Sequence, residues 1–540
     1  MSRIDKKVLM TTAAMMMASF ILLFHETAFA ATYYMPDNFT SLQAAFAGMS
    51  SGDTLIIRDG TYTGASNTIL DNNNQIPNGP GTGSGDARFT CIKAEHAGSV
   101  TFDGEGSRRM FFLQASNSGH KEWIKFEGII WRNTPSECAW IQGVNGGTAN
   151  SHIVFSKCGF CDGGITASTS SNGLYVRSTN YALIEDCYAW GELYYGMVME
   201  RCQYSIFRRC VGRYDIHRGD RGGVIGVYSS NYIEVQNCIA IDCDRDASYT
   251  SPAERMYGFA YPTTDGPSTY VHTVGCIALN LNANSKIVFG LFSSNGGGSN
   301  NTFEDNVFYD ASGGFWDRVT ASTYNHCVIG GTKGYGVSEG LACDNNGSVR
   351  NSIFLNNVGA YGSNVTTSNY NAYYSNTHDV KNTPGAYDYC QENNNQINPL
   401  TNSLLYLTRI EPSSTLTNRG SDGGRIGPQI LYRIGTTGSF YGETGYASVS
   451  STSLWPFPNE ETIKTKMSAY TGNVHYAVTG ARGFCASGKQ FNGTDNITLT
   501  SYIWEYLGNR MPLTIYDTDS DTNTDTTPPA RPSGITVIIQ

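Results

Sequence analysis

Ionisable residues of this chain gather in one stretch. The run Asp215-Ile216-His217-Arg218-Gly219-Asp220-Arg221 is followed by Asp242, Asp244, Arg245, Asp246, Glu254 and Arg255, and then by Lys286. Abstracting a proton beside a carboxylate takes a base, together with positive charge to hold the enolate-like intermediate. Lys286, the one lysine between Lys157 and Lys333, is a candidate base, and so is His217, which titrates near neutral pH. Arg218 and Arg255 are the candidate cations of such a site, and Arg177, Glu200, Asp220 and Arg221 its candidate binding residues. Asp242, Asp244 and Asp246 place three carboxylates at alternate positions, two or three of the six to eight oxygens that calcium takes. The same run also reads as a solvated loop whose acids sit beside Arg245 and Arg255. Glycosidic hydrolysis would instead need two carboxylates a few ångströms apart, and Glu200, Asp220, Asp242 and Asp244 could supply them. Arg218-Gly219-Asp220 spells an integrin-type tripeptide. The sequence holds no nucleophilic serine motif, zinc pattern or phosphate loop.

These residues are strung between copies of a short phrase: apolar, two mostly polar residues, a small residue or Cys, then a second apolar run. It reads Val154-Phe155-Ser156-Lys157-Cys158, Leu183-Ile184-Glu185-Asp186-Cys187, Ile206-Phe207-Arg208-Arg209-Cys210 and Ile233-Glu234-Val235-Gln236-Asn237-Cys238. Weaker copies run from Phe126 to Leu355. Self-similarity at a spacing of roughly 20 to 50 residues marks a solenoid, each repeat burying its apolar face against its neighbours. A second phrase precedes each anchor: Gly173-Leu174-Tyr175-Val176, Gly196-Met197-Val198-Met199, Gly223-Val224-Ile225, Gly258-Phe259-Ala260 and Gly314-Phe315-Trp316. Its alternation predicts strands with one face inside and one outside. Asp186, Asn237, Gly275, Asp305 and Asn351 stand just before the anchors, and such residues tolerate a left-handed bend. Each repeat is therefore strand, variable loop, strand, one-residue bend, strand. The longest interval, 38 residues from Cys238 to Cys276, coincides with the charged stretch.

This pattern resembles the right-handed parallel β-helix of the pectate-lyase-like superfamily. The amphipathic segment Phe39 to Phe46, with Ser41 as a cap, followed by Ser51-Gly52-Asp53-Thr54-Leu55-Ile56-Ile57, looks like the capping helix and first rung of such proteins. The resemblance covers roughly residues 35 to 435 and implies an all-β solenoid with an N-terminal capping helix and a small C-terminal appendage. It further implies a polysaccharide as partner and, most concretely, β-elimination on a uronate-containing chain assisted by calcium. The fold carries many chemistries, so hydrolysis and noncatalytic surface adhesion remain open.

Residues 1–30 read as a cleaved secretory signal: Arg3, Lys6 and Lys7, an apolar stretch from Val8 to Phe24, then Ala28-Phe29-Ala30. The mature chain is expected to be secreted, extracellular or periplasmic, and monomeric, without membrane insertion. A net charge of −10 disfavours nucleic acid. Of 14 cysteines, Cys158, Cys187, Cys210, Cys238, Cys276 and Cys327 share one repeat position. That favours a reduced interior column over a disulfide framework. The expected organisation is a solenoid over 31–435, a C-terminal capping region over 436–516 and a linker-like tail over 517–540.

Overall fold

A computed structural model describes residues 30–508 apart from 71–75, 116–118, 145–148, 165–170, 192–193, 217–220, 246–254, 263–265, 282–286, 294–297, 312, 334–338, 362–363, 381–382, 400–403, 405, 472–478 and 491–492. Its core is a coil of three long parallel sheets. Sheet A has fourteen strands, from Thr32–Met35 to Val365–Asn369; sheets B and C have twelve each. Each turn of chain supplies a strand to A, bends into B, crosses to C and returns to A one rung on. Leu183–Glu185, Tyr188–Trp190, Tyr195–Glu200 and Gln203–Arg208 are one such circuit. Rungs lie in register, with Ile184 beside Phe207 and Phe207 beside Val235. The protein is a right-handed parallel β-helix, the hand that parallel crossovers take. The long links fall chiefly between B and C rather than before the anchor strand. Arg245 ends a B strand and Arg255 begins the next C strand.

The inward side chains of all three sheets form one apolar column, with Phe111, Phe126, Trp131, Phe155 and Phe160 stacked in its early rungs. The helix Leu42–Gly48, capped by the Ser41 hydroxyl, adds Leu42, Ala45 and Phe46 to this core.

The A-to-B bend explains the anchor. Lys157, Asp186, Arg209, Asn237, Gly275, Asp305, His326 and Asn351 all take φ between 49° and 65°. Three of these are neither Gly, Asn nor Asp, so the bend imposes the conformation on whatever residue occupies it. The next residue points inward and bonds along the coil. The Cys158 amide donates to Cys187 Sγ (3.4 Å), Cys210 to Cys238 Sγ (3.5 Å) and Cys238 to Cys276 Sγ (3.3 Å). Oxygen acceptors then take over: Cys276 donates to Asn306 Oδ1, Cys327 to the Ser352 hydroxyl, Ser352 to Asn371 and Asn371 to Asp388. The column cysteines are free and fully buried, and burial pushes the thiols of Cys187, Cys210 and Cys238 well up.

A second column lies at the start of the A strands. Trp123, His152, Tyr181, Tyr204, Tyr232 and Tyr270 are all left-handed and stack in one run, with neighbouring centroids 3.8 to 5.4 Å apart. Ring stacking offsets the strain of αL at bulky residues.

The C-terminal segment lies along the flank of the coil, not across its end as expected. Trp455, Ile463, Met467, Phe484, Ile503 and Trp504 pack on the outward row of sheet B, which includes Val211, Ile239, Ile277, Val307 and Ile353. Phe440 covers Val154, Leu183 and Ile206 of sheet A. The reason is apolar area: sheet B is hydrophobic on both faces and requires a cover. At the end of the coil, Asp388 instead accepts from the Asn371 and Gly385 amides and closes the last rung.

Two outcomes follow. Alkylation of native protein should label none of the column cysteines, and denaturation without reductant should make all six reactive. Protection after denaturation would mean disulfides. On sheet A, His272 Nδ1 lies 3.0 Å from Glu234 and Nε2 lies 3.8 Å from Glu304, raising the imidazole to about 10. A raised folded-state value gives stability that is complete below the unfolded value of about 6.5 and is lost as pH rises through about 10. His272→Gln should therefore cost about 1–2 kcal/mol at pH 6 and markedly less at pH 10, measured by denaturant unfolding.

Candidate functional site

The expected site residues separate into three places. Arg177 and Glu200 end adjacent C strands and pair in register on the outer face. Arg221 and Arg255 begin two later C strands and are also in register, with Ile287 next to Arg255. Tyr228, the cross-rung neighbour of Glu200, ends the strand that Arg221 begins. Seven residues of strand at about 3.3 Å each put the two pairs roughly 23 Å apart, on opposite edges of sheet C. His217, Arg218, Asp220, Asp246 and Lys286 lie outside the described residues. In the sequence, Lys286 immediately precedes the strand Ile287–Ser293.

The third place is sheet B, and there the expectation is corrected. Asp242 is 1 % exposed, and its carboxylate is fully engaged. Oδ1 accepts from Asn280 (2.9 Å) and the Tyr502 hydroxyl (2.8 Å), and Oδ2 accepts from the Phe484 amide (2.8 Å). Burial raises its carboxyl, and these bonds oppose the shift. Asp242 therefore anchors the C-terminal segment, with both its carboxylate oxygens engaged by protein donors. Asp244 lies in the same strand, its backbone beside Asp215. Asp215 is likewise structural: it bonds Arg213 and Arg482, and Arg482 also donates to the Asp242 carbonyl. Asp215 and Asp242, two of the acids that stood out in the sequence, thus serve this docking. Glu185 with Arg208, and Asp186 with Arg209, do the same one bend away, where Arg208 also donates to the carbonyls of Thr436 and Tyr446.

The outer face of sheet C has a different character. Among the described residues, its cluster contains Tyr195, Val198, Tyr257 and Ala260, with Tyr175, Tyr194, Tyr228 and Trp316 packed at its margin, and none from the C-terminal segment. Glu200 sits at the centre. Arg177 Nε is 3.0 Å and Arg201 Nε 3.8 Å from Oε1, while the Tyr175 hydroxyl donates to Oε2. Burial and the Glu200 charge push the Tyr175 phenol well up, making it a donor rather than a base. Toward the N-terminal rungs, the Arg109 guanidinium lies 5.0 Å over Phe112 and 5.2 Å over Trp140, with Glu137 3.7 Å away. Burial raises the Glu137 carboxyl. Toward the C-terminal rungs, Arg318 lies 5.1 Å over Trp316. Asp317, from the same strand, points inward and receives the Tyr324 hydroxyl, so it is no part of this face. The sequence reading missed Arg109, Glu137, Trp140, Tyr175 and Trp316. The available signal was position: Tyr175 and Trp316 stand two residues after the glycine of the strand phrase, the outward place.

Elsewhere, Asp59, Glu95 and His96 bring ligand atoms within 4.8 Å of one another at an exposed bend. Asp59 is already paired with His96, and Glu95 with Arg58.

No protein-family model matches the chain, and no curated protein matches it in sequence. Among solved structures, it is similar to pectate lyase Pel9A at 16% identity over 74% of this chain and 96% of that one, TM-score 0.39. It is also similar to the A-module of the Azotobacter vinelandii mannuronan C-5 epimerase AlgE6, at 11% identity over 61% and 92%, TM-score 0.38. PfbA, a surface adhesin of Streptococcus pneumoniae, aligns at 11% identity over 62% and 85%, TM-score 0.39.

Asp242→Ala should lower unfolding free energy by about 2–4 kcal/mol, because three donors lose their acceptor in a buried site. Calcium and chelator should move the denaturant midpoint of neither protein. A calcium-dependent midpoint in wild type that Asp242→Ala abolishes would restore the metal reading.

Proposed function

We propose that the protein binds and cleaves an acidic polysaccharide on the outer face of sheet C. One observation carries the reading: the chain covers the outer rows of sheets A and B with its own C-terminal segment, whereas the outer row of C keeps aromatic rings and arginines together. Aromatic side chains suit the apolar faces of sugar rings, and guanidinium groups suit carboxylates. Arg109, Arg177, Arg201 and Arg318 concentrate positive charge here within an acidic protein.

The reaction that fits is β-elimination on a uronate-containing chain. Arg255 and Arg221, at one edge of the sheet, would neutralise the substrate carboxylate and acidify the adjacent C–H. Lys286 or His217 would take the proton, and the C–O bond to the leaving sugar would break to give an unsaturated end. Glu200, held by Arg177 and the Tyr175 hydroxyl, would orient sugar hydroxyls. The protein would act as an exported monomer, after removal of residues 1–30.

The test incubates protein with pectate, alginate and glycosaminoglycans, with and without chelator, and follows absorbance of the unsaturated product. Lys286→Ala or His217→Ala should lower the rate about 10²- to 10⁴-fold. Arg255→Ala should lower kcat/KM about 10²-fold at unchanged unfolding midpoint. New reducing ends without that absorbance would indicate hydrolysis. Binding without cleavage would leave a noncatalytic polysaccharide-binding protein. Loss of turnover with chelator would assign a calcium site to residues other than Asp242.

A further inference from the structure

The column of left-handed residues at the start of the sheet A strands changes character at one step. Up to Tyr270 it is aromatic, and Tyr270 stacks on Tyr232 with centroids 4.9 Å apart and planes 7° from parallel. Asn300, Ala321 and Asn346 hold the same place in the next three rungs, two residues before Thr302, Thr323 and Ser348. They keep the left-handed backbone, with φ of 60°, 60° and 51°, but carry short side chains. The ring that ends the stack therefore has one face on Tyr232 and the other toward a lower floor. Tyr270 is 48 % exposed, whereas the five rings before it are half-buried.

Hydrogen-bonding groups line that floor. Thr302, Thr323 and Ser348 form an outward row in register from rung to rung, and no described residue bonds their hydroxyls. Asn300 and Asn346 add exposed amides beside the row. The C-terminal segment covers sheet A in earlier rungs, where Phe440, Tyr441 and Tyr446 meet Ile206, Tyr204 and Gln236. Further on it bonds the opposite edge of the sheet, at Asp305 and Asn351. Three rung steps at about 4.8 Å carry the floor roughly 14 Å from Tyr270 to Asn346.

An aromatic wall beside a row of hydroxyls and amides suits a sugar, whose ring offers an apolar C–H face and polar edges. Charge narrows the class. His272, two residues along from Tyr270, is enclosed by Glu234 and Glu304, and Arg350 stands three rungs further on. Two carboxylates around one imidazole disfavour a uronate and leave a neutral sugar.

We propose that this step in sheet A is a second glycan site, distinct from sheet C, and that its ligand is a neutral oligosaccharide. The terminal sugar stacks on the open face of Tyr270, and the next units lie along the coil axis over Asn300 and Ala321. Their hydroxyls bond Thr302, Thr323 and Ser348. The column behind Tyr270 already holds the stacking ring, so little freedom is lost when a ligand arrives. The site would hold the protein to neutral glycan and needs no chemistry from sheet C.

The experiment titrates the protein with cellotetraose, mannotetraose, maltotetraose and tetragalacturonate by calorimetry. At least one neutral tetramer should bind wild type, and tetragalacturonate should not compete with it. Tyr270→Asn removes the ring but keeps a residue that tolerates the left-handed bend. It should weaken the neutral tetramer about tenfold. Tyr270→Phe should bind like wild type, and Thr323→Val about threefold more weakly. Tyr270→Phe and Thr323→Val should keep the wild-type unfolding midpoint. Arg177→Ala should leave neutral binding unchanged and weaken only tetragalacturonate. Failure of every neutral tetramer to bind at millimolar concentration would overturn the proposal. So would full neutral affinity in both Tyr270→Asn and Thr323→Val, or neutral binding lost in Arg177→Ala. Tetragalacturonate binding lost in Tyr270→Asn would overturn the neutral occupant. Self-association that Tyr270→Asn abolishes, without neutral binding, would assign the step to a second copy of the chain. Tetragalacturonate bound equally by wild type and Arg177→Ala would count against sheet C and leave this site standing.

Discussion

A coil of parallel strands must turn its chain several times per rung, and each turn removes backbone amides from the strand ladders. A buried amide without a partner is costly, so the fold depends on acceptors repeated at the rung spacing. The protein meets this with side chains one rung away. Cysteine sulfur serves in the early rungs, then Asn306, Ser352, Asn371 and Asp388 take the same position. Sulfur is a weak acceptor but fills an apolar interior without the desolvation cost of an amide. Toward the end of the coil the acceptors become oxygen, and the series terminates on a carboxylate that also ties down the closing loop.

The outer surface follows from the same geometry. Parallel sheets are apolar on both faces unless something pays for exposure, and sheets A and B are covered by the returning C-terminal segment. That segment contains little regular structure. It is held instead by buried ionic groups of sheets A and B: Arg208, Arg213 and Asp242 bond its backbone, and Arg209 and Asp215 bond the side chains of Thr437 and Arg482. Each of these groups is buried beside opposite charge or hydrogen-bond partners, the condition under which burial of charge is tolerated. Among the described residues, the outer row of sheet C is packed by residues of its own rungs and by none of the C-terminal segment.

How much of this the sequence disclosed depends on how local each cause is. The rungs, their register and the inward cysteines were legible because each is set by spacing within one repeat. The bend conformation was legible at Asn237 and Gly275 but hidden at Lys157, Arg209 and His326, whose residue types do not advertise it. The aromatic column was written at a fixed offset, six residues before each anchor from His152 to Tyr270, and was passed over because aromatics are ordinary in strands. The site was least legible. Asp242 and Asp215 look like functional acids, and their partners Phe484, Tyr502 and Arg482 lie more than 200 residues away, beyond any local pattern. Arg177 with Glu200 was legible because the repeat itself places them side by side.

The order in which the chain is made gives the covering segment a further consequence. Synthesis delivers the coil first and its cover last. Until Leu404 and the residues after it emerge, Val211, Ile239, Ile277, Val307, Val328 and Ile353 form an unbroken apolar stripe along a regular stack of strands. Nascent coils carrying that stripe would adhere to one another, so the chain is most vulnerable to aggregation when nearly complete. A nonsense mutation late in the reading frame would therefore be more harmful than its small loss of sequence suggests. It would spare every rung and leave the whole length of one face sticky.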